Sequence, residues 1–364
     1  MYTLAKPVLL HMDAEGSHDL ALWALATASR SNWSLKLLQG VYGRRVASLP
    51  VRLMGIDFPN PLGLAAGLDK QANAGAALGA LGFGWVELGT VTPLPQAGNP
   101  KPRMFRIVPH EAVINRMGFN SIGLSGFLAN LEKMPSGVIR GINIGKNAAT
   151  PVERAADDYL ACLDAVYPLA DYVAINISSP NTQNLRSLQE DRALDALLEA
   201  IVTRAGELES NHGRRVPLVL KVAPDLDDGQ ISAIANLLRR HGIDAVAATN
   251  TTVSRPGLQG QAVAEEAGGL SGPPVRRLAN HVISGLHAEL GDAIPIIGIG
   301  GIDGPESALE KLAAGASLLQ LYTGLVYRGP GLVARVVNGL ESAFVRSGHG
   351  PGFADWIRSL HGHG

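Results

Sequence analysis

Lys221 is the side chain with the most evident chemical potential, because it interrupts the otherwise apolar run Leu218–Val222. A lysine in such a run needs a partner, since an unpaired buried ammonium is costly. It could stabilise a developing anion or form a Schiff base with a carbonyl substrate. It could also merely pair with a carboxylate on a neighbouring helix. The residue type alone leaves these three roles open.

Several asparagines follow other apolar runs, and they offer donors and acceptors without charge. They are Asn143, Asn176, Asn181 and Asn250. Around one cavity they would suit a flat ligand whose edge alternates N–H and C=O groups. No cluster of His, Asp and Glu accompanies them, so we expect no metal site, and no carboxylate pair suggests a glycosidase. The acids nearby are Glu87 and Asp69, and we expect Asp69 to pair with Lys70.

Gly300 and Gly301 follow a late apolar run, at a place where α/β barrels commonly bind phosphate. Together with Thr323, their backbone N–H groups could cradle a phosphate. A simple tight turn is the alternative reading of the same glycines.

Eight short apolar runs are the elements that would position these groups. They are Leu62–Ala66, Trp85–Gly89, Val138–Ile144, Tyr172–Ile177, Pro217–Val222, Ala245–Thr249, Pro295–Ile299 and Ser317–Leu321. Helical patterns such as Asp191–Leu208 and Asp228–His241 separate them. Runs apolar on both faces predict a buried parallel sheet. Eight βα units favour a TIM (β/α)8 barrel over a doubly wound sheet, and no strong G-x-G-x-x-G motif supports the latter. Val51–Asp57 predicts a hairpin that closes the barrel bottom.

Composition and charge exclude several classes of protein. The chain has 364 residues, with 31 Lys+Arg against 32 Asp+Glu, and this balance argues against a nucleic-acid partner. Hydrophobic residues at 46% and charged residues at 17% exclude a disordered chain. The single cysteine, Cys162, excludes an internal disulfide and a multi-cysteine metal site, and we expect it to be buried in a helix.

The N-terminal segment predicts short helices that stand apart from the barrel pattern. We expect Ser17 to cap a helix that is apolar almost all round, followed by a second segment from Trp33 to Tyr42. No run approaches the roughly 18 apolar residues of a membrane span. The helices could pack on the barrel or form an apolar platform on a bilayer surface, with Trp23 and Trp33 at the interface.

Five motifs together resemble the dihydroorotate dehydrogenases, and specifically the quinone-dependent class 2. In chain order they are Asn60–Lys70, Asn115–Asn120, Asn176–Thr182, Gly269–Gly272 and Ile299–Ile302. Class 1 relatives carry a cysteine base where this chain has Ser179, and they lack a helical extension. The resemblance therefore implies an N-terminal membrane- and quinone-associated extension over residues 1–43 and an FMN-binding barrel over residues 44–364.

The reaction that the resemblance implies is oxidation of (S)-dihydroorotate to orotate in pyrimidine biosynthesis, with FMN as cofactor and a membrane quinone as acceptor. Ser179 would remove a substrate proton through a relay with Thr182 and water. Phe119 would shield the site, and Lys221 would stabilise the reduced flavin.

The remaining site residues are carried over from the same resemblance. For FMN they are Ala66, Gly67, Thr90, Asn143, Asn176, Lys221, Thr249, Gly272, Gly301, Tyr322 and Thr323. For substrate they are Lys70, Asn115, Arg116, Met117, Gly118, Phe119, Asn176, Asn181, Asn250 and Thr251. For quinone they are His18 and Arg106. The resemblance also implies a peripheral membrane protein on the cytoplasmic face of the inner membrane. The rival interpretations are an aldolase or isomerase with Lys221 as Schiff-base nucleophile, and a non-catalytic barrel that serves as a membrane-surface scaffold.

Overall fold

The computed structural model describes the backbone of residues 2–182, 184–350 and 352–361, and the side chains from residue 6 onward within those ranges. Met1, the first residue of the predicted extension, and residues 362–364, the last of the predicted barrel domain, lie outside the described residues.

Parallel strands form a closed barrel in the order β3-β4-β7-β8-β9-β10-β12-β13. The described strands are β1 (Val51–Leu53), β2 (Ile56–Phe58), β3 (Leu62–Leu64), β4 (Trp85–Val91), β5 (Met104–Ile107), β6 (Ala112–Asn115), β7 (Arg140–Ile144), β8 (Tyr172–Asn176), β9 (Leu218–Val222), β10 (Ala245–Ala248), β11 (Gly269–Ser271), β12 (Ile296–Ile299) and β13 (Leu318–Leu321). Seven of the eight predicted runs contain one barrel strand each, and the eighth, Trp85–Gly89, covers the first five residues of β4, which continues to Val91. The predicted (β/α)8 barrel with N-terminal helices is therefore confirmed.

Helices separate the barrel strands and cover their outer faces, which explains why the strands are apolar on both sides. The described helices are α1 (Tyr2–His11), α2 (Ala14–Ser29), α3 (Asn32–Val41), α4 (Gly75–Ala80), α5 (Gly123–Leu131), α6 (Ala155–Val166), α7 (Asp191–His212), α8 (Asp228–His241), α9 (Arg276–Leu290), α10 (Pro305–Ala313), α11 (Thr323–Arg328), α12 (Leu332–Ser347) and α13 (Phe353–His361). Cys162 is buried in α6, as predicted.

Large aromatic side chains fill the lower barrel because glycines on adjacent strands leave room for them. A Cβ on Gly63 would lie 2.1 Å from the ring of Trp85, and a Cβ on Gly141 would lie 2.1 Å from the ring of Tyr172. The antiparallel β1–β2 hairpin adds Phe58, whose ring centroid is 4.8 Å from that of Trp85. The hairpin therefore covers the N-terminal end of the barrel, as its sequence predicts.

A second sheet, of order β11-β6-β5, is antiparallel and was not predicted. Strands β5 and β6 lie between β4 and β7 in sequence, whereas β11 lies between β10 and β12. Leu270 of β11 pairs with Ile114 of β6, and Phe105 of β5 pairs with the same residue. This sheet adds walls to the cavity described below.

The N-terminal helices begin earlier than predicted. Asp13, not Ser17, caps α2, because its side chain accepts a hydrogen bond from Gly16 N at 2.7 Å. Ser31 caps α3 in the same way. Ser29 at the end of α2 accepts from Ala77 N of α4 at 3.0 Å, which joins the extension to the barrel. Within the described residues, none of the helices combines the length and the apolar character needed to cross a membrane.

Candidate active site

A cavity opens at the C-terminal ends of the barrel strands, where barrel enzymes place their chemistry. It encloses about 1120 Å³ of space free of protein atoms, part of which is open to solvent. Most of the predicted site residues line it: Ala66, Gly67, Lys70, Thr90, Asn115, Met117, Gly118, Phe119, Asn176, Ser179, Asn181, Lys221, Thr249, Asn250, Thr251, Gly272, Gly301, Tyr322 and Thr323. Sequence motifs more than 250 residues apart therefore meet at one mouth.

A chain of hydrogen-bonded amides forms one side of the cavity. Asn143 Oδ1 accepts from Thr90 Oγ1 at 2.5 Å and from Asn176 Nδ2 at 3.1 Å. Asn176 Oδ1 in turn accepts from Asn250 Nδ2 at 3.3 Å. Asn143 itself is fully buried behind this chain and does not line the cavity. The amides are held rigidly, as recognition of a planar polar ligand requires.

Lys221 reaches the cavity from β9, and its partner is Glu87 on β4. The Nζ–Oε1 distance is 3.6 Å, and both residues are buried. The alternative of a helix carboxylate as partner is therefore wrong. The Lys221 ammonium makes no hydrogen bond to any other described residue, so its N–H groups remain available at the cavity wall.

Ser179 lies in the loop after β8 and lines the cavity. Its Oγ accepts a hydrogen bond from Asn181 N at 3.3 Å. Thr182 is buried next to the loop, and its Oγ1 has no protein partner among the described residues. Arg186 stabilises the loop, donating to Ser178 O at 3.0 Å and to Thr251 O at 2.8 Å. A buried hydroxyl without a partner is costly, which suits a position that holds water or a ligand.

The loop after β6 carries Phe119 in the left-handed region, with a φ of 52°. Such a backbone is uncommon for a bulky residue and persists only when the surroundings enforce it. Gln96 Nε2 donates to Phe119 O at 2.9 Å and to Gly118 O at 3.2 Å. Asn99 donates from Nδ2 to Arg116 O at 2.9 Å and to Asn181 O at 3.2 Å. The loop is thus fixed against both the barrel and the Ser179 loop.

Lys70 and His18 meet where the N-terminal extension reaches the cavity. Burial and the nearby Arg103 lower the pKa of Lys70 to about 8. Burial and the Lys70 ammonium lower the pKa of His18 to about 3, so its imidazole is neutral at pH 7. The expected ion pair between Asp69 and Lys70 is wrong: the Asp69 carboxylate accepts from the backbone N–H groups of residues 73 and 74 at 3.1 and 2.8 Å.

The loops after β12 and β13 present backbone groups to the cavity. Gly300 and Gly301 have φ values of 103° and 78°, and a Cβ on Gly301 would lie 2.6 Å from Arg276 Cβ. Glycine is thus required at Gly301 on two counts. Thr323 completes this corner, donating from Oγ1 to Ser271 Oγ at 2.8 Å. The corner has the character of an anion-binding nest.

Arg116 is a predicted substrate residue whose side chain lies away from the cavity. Its guanidinium pairs with Glu266 at 2.6 Å and lies 4.6 Å above the ring centroid of Phe105. The assignment is therefore corrected for the side chain: Arg116 is not among the cavity-lining residues, and its guanidinium fastens the loop from outside through Glu266 and Ala267 O.

The predicted quinone residues lie at the junction of the extension and the β11-β6-β5 sheet, and neither is among the residues that line the cavity. Arg106 of β5 donates to Leu9 O at 2.7 Å, to Met12 O at 3.1 Å and to Ser17 Oγ at 2.6 Å. Ser17 directly precedes His18, so the structure brings the two residues to one region.

Sequence reasoning missed the groups that support the site from below. Glu87 was noted only as a nearby acid, yet it accepts hydrogen bonds from Asn143, Tyr172 and Gln320. The signal was present, because Glu87 interrupts an apolar strand just as Lys221 does. Two opposite charges on buried strands of one barrel should be expected to pair.

Comparisons with known proteins agree with the motifs. The family profile described as dihydroorotate dehydrogenase matches residues 48–344. The dihydroorotate dehydrogenase (quinone) of Thiobacillus denitrificans is 57% identical over 340 residues, which cover 93% of this chain and 99% of that protein. The protein of the same name from Burkholderia multivorans is 56% identical over 340 residues, covering 93% and 97%.

Solved structures show the same likeness at lower identity. The ligand-free dihydroorotate dehydrogenase of Eimeria tenella is 36% identical, has a TM-score of 0.84, and matches 92% of this chain and 96% of that one. The same enzyme in complex with ferulenol is 35% identical, with a TM-score of 0.83 and 92% of each chain covered. The resemblance inferred from the five motifs is confirmed.

Proposed function

The chain belongs to the dihydroorotate dehydrogenase family, and we infer that it oxidises dihydroorotate to orotate and delivers the electrons to a quinone, as a step of pyrimidine biosynthesis. The observation that carries this inference is the single cavity at the barrel mouth. It gathers the Ser179 hydroxyl, the Lys221 ammonium and a row of amides that suit a flat ring with polar edges.

We propose FMN as the flavin. The Lys221 ammonium, which lacks a hydrogen bond to any described residue, and the nest at Gly300 and Gly301 are the donor set that a flavin ring and one phosphate need. When bound, the flavin supplies the two-electron acceptor. The cavity-lining residues that would hold it are Ala66, Gly67, Thr90, Asn176, Lys221, Thr249, Gly272, Gly301, Tyr322 and Thr323. Asn143 would act from behind them, through its hydrogen bonds to Thr90 and Asn176.

Ser179 is proposed to remove the proton from the substrate carbon. A serine is a weak base, so the proton must pass on to a second group. The unpartnered Oγ1 of Thr182, buried in the same loop, supports a relay through water from Ser179 to Thr182. Phe119, held in its strained conformation at the cavity wall, excludes bulk water from this step.

One cation and several amides would orient the substrate. We propose that the Lys70 ammonium pairs with the substrate carboxylate. The edge of the substrate ring would be bound by four asparagines: Asn115, Asn176, Asn181 and Asn250. Asn181 Nδ2 donates to Asn115 Oδ1 at 3.2 Å, and Thr251 N donates to Asn250 Oδ1 at 2.8 Å, so both pairs are already oriented. Backbone groups of Met117 and Gly118 would complete the pocket.

The quinone is proposed to enter through the N-terminal helices. Six of the ten exposed large hydrophobic side chains among the described residues lie in these helices or in the turn between α1 and α2: Val8, Met12, Leu20, Trp23, Trp33 and Leu37. Such a surface suits a helical platform that lies on a bilayer. We propose peripheral attachment at the cytoplasmic face of the inner membrane, with His18 and Arg106 lining the route of the quinone.

The deciding experiment is a spectral titration of the purified protein. The protein should be yellow, its flavin absorbance should bleach when dihydroorotate is added without oxygen, and a quinone should restore it. Release by acid and chromatography should identify FMN. A colourless protein that is trapped on Lys221 by borohydride with a carbonyl substrate would instead support the aldolase alternative. The ion pair between Lys221 and Glu87 argues against that outcome, because a Schiff-base nucleophile reacts as an unpaired amine.

A further inference from the structure

Glu87 is a fully buried carboxylate that no step of the proposed reaction uses. It projects into the barrel from β4, and donors from three other barrel strands surround it. Two of those strands, β8 and β13, are not neighbours of β4 in the barrel. The contacts therefore cross the barrel interior, directly beneath the cavity.

The two oxygens of this carboxylate have different tasks. Oε2 accepts from Tyr172 OH at 2.7 Å and from Gln320 Nε2 at 2.8 Å, which lie in the lower barrel. Oε1 accepts from Asn143 Nδ2 at 2.8 Å and lies 3.6 Å from Lys221 Nζ. One oxygen is thus fixed from below. The other faces Lys221, which lies at the cavity wall, and Asn143, which lies directly behind that wall.

Glu87 also determines the direction of the amide chain. Because Asn143 donates its Nδ2 group to Glu87, its Oδ1 must face upward, where it accepts from Thr90 and Asn176. If the Asn143 amide were reversed, its oxygen would face the carboxylate oxygen, and its NH2 group would face the Nδ2 donor of Asn176. The direction of every hydrogen bond in this amide chain therefore depends on one buried acceptor, the Glu87 carboxylate.

We propose that Glu87 is a positioning residue, which keeps Lys221 charged and in place and orients the Asn143 amide toward the flavin. The proposal rests on the FMN site inferred above. A buried ammonium without a counter-charge would lose its proton or turn away, because an unpaired buried charge is costly. Glutamine has the same shape but cannot replace Glu87, since its NH2 group would face donors at either oxygen position.

The test is Glu87→Gln, read by the midpoint reduction potential of the bound flavin and by the fraction of flavin retained. Loss of a charged interaction predicts that the enzyme's preference for reduced over oxidised flavin falls by about 10- to 100-fold. The potential should therefore drop. If Glu87 were only a background negative charge, its removal would favour the reduced anion and the potential would rise. A rise, or no change, would overturn the proposal.

Two further variants separate positioning from general damage. In a Lys221→Met background, Glu87→Gln should no longer lower the potential, because the group through which it acts is gone. The double variant restores a neutral buried pair, so it should unfold at a temperature no lower than Lys221→Met alone. The proposal would be contradicted if Glu87→Gln lowered the potential or the unfolding temperature further in the Lys221→Met background. The comparison of the double variant with Lys221→Met can be made even when Glu87→Gln alone fails to fold.

Tyr172→Phe is the matched control, since it removes a donor to the same carboxylate from the side away from the cavity. It should lower stability and leave the potential close to that of the parent enzyme. A wild-type protein without flavin would refute the proposed function itself. A flavin-loaded wild-type protein that dihydroorotate reduces, combined with an unchanged Glu87→Gln variant, would refute only this inference.

Discussion

Ser179 has a simple environment, which makes its proposed role easy to isolate. Its Oγ accepts one backbone hydrogen bond and otherwise faces the cavity. Ser179→Ala should keep its flavin but slow flavin reduction by dihydroorotate about 10²- to 10⁴-fold, the usual contribution of a general base. Ser179→Cys should retain part of the activity, with a pH optimum displaced toward the thiol pKa of about 8.5. Stopped-flow absorbance measures both; reduction of the alanine variant at the parental rate would exclude this role.

Lys70 should make ligand affinity depend on pH. Burial and Arg103 lower its pKa to about 8, so the ammonium is present below that pH and is lost above it. If the ammonium pairs with the carboxylate of orotate, as proposed above, the dissociation constant of orotate should increase as pH rises through 8. Titrations followed by the flavin spectrum measure this change. Lys70→Arg is the control, because a guanidinium stays charged throughout this pH range. The variant should therefore lose the part of the pH dependence that comes from Lys70 and keep the rest. Identical profiles for the two proteins would contradict the assignment.

Single residues show where sequence reasoning succeeds and where it stops. Lys221 stood out because a charge in an apolar strand is conspicuous, and it does reach the cavity. Its partner was not recognised, because pairing depends on barrel register, which places Asn176 of β8 beside Lys221 and leaves Glu87 across the interior. Arg116 adjoins pocket residues in sequence, yet its long side chain turns outward to Glu266. Spacing fixes the position of a backbone but not the direction of a flexible side chain.

At the scale of elements, local signals were sufficient for the barrel. Helix α8 has the predicted bounds, Asp228–His241, because Asp227 and Gln230 form a capping box at its start and Gly242 ends it in the left-handed conformation. The β11-β6-β5 sheet was missed for the opposite reason. Its strands have three or four residues, and Leu270 pairs with a residue more than 150 positions away. Such strands leave no periodic pattern in the sequence.

Helix α2 is fastened to the barrel by a buried ion pair that also supports the loop after β6, which carries Phe119. Glu15 accepts from Arg103 at 2.8 Å, and Arg103 donates in addition to Ala97 O and Asn99 O, at 2.7 and 2.9 Å. Asn99 in turn holds the loops of Arg116 and Asn181. The extension and the substrate pocket are therefore mechanically connected.

We expect Glu15→Gln to weaken both docking and substrate binding. It leaves Arg103 buried without its main counter-charge, and such a loss typically lowers the free energy of unfolding by about 3–5 kcal/mol. The effect should be smaller here by the amount that a hydrogen bond from Arg103 to the glutamine oxygen restores. Denaturant unfolding should show this loss, and the KM for dihydroorotate should rise. Asp57→Asn is the matched control, because the Arg52–Asp57 pair is exposed and such pairs contribute about 0–1 kcal/mol. An unchanged KM in a destabilised Glu15→Gln protein would disprove the mechanical connection.

The same ion pair should contribute to stability against acid. Burial alone would raise the pKa of Glu15, but hydrogen bonds and charge interactions with Arg103 and Lys101 outweigh burial and lower it. A carboxyl whose folded pKa is depressed contributes stability above its unfolded value and loses that contribution as pH falls through the folded value. The difference in stability between the parent and Glu15→Gln should therefore shrink below about pH 4.5.

At the scale of the whole molecule, the proposed chemistry and the proposed membrane contact lie in different parts of the chain. The proposed substrate and flavin residues follow residue 60, whereas the exposed apolar side chains concentrate on α1, α2 and α3. Deleting residues 1–43 would separate these functions poorly, because it also removes Glu15 from the buried Arg103. Surface substitutions on the outer face of the extension test the division without this side effect.

The double variant Trp23→Gln, Trp33→Gln should lose the proposed binding to membranes and keep the oxidation of dihydroorotate. Both indoles are exposed, at 67% and 72%, so the fold does not depend on them. Burying a large apolar side chain contributes about 1.5–3 kcal/mol, so losing two should weaken binding to phosphatidylcholine–phosphatidylglycerol vesicles by roughly 100-fold or more. Flavin reoxidation by a long-chain quinone in those vesicles should slow in parallel, whereas reduction by dihydroorotate and reoxidation by a water-soluble quinone should persist. Val345→Gln, at an equally exposed apolar position on α12, should change none of these rates. If the double variant sedimented with vesicles and used the long-chain quinone as the parent does, this face would not be the one that meets the membrane.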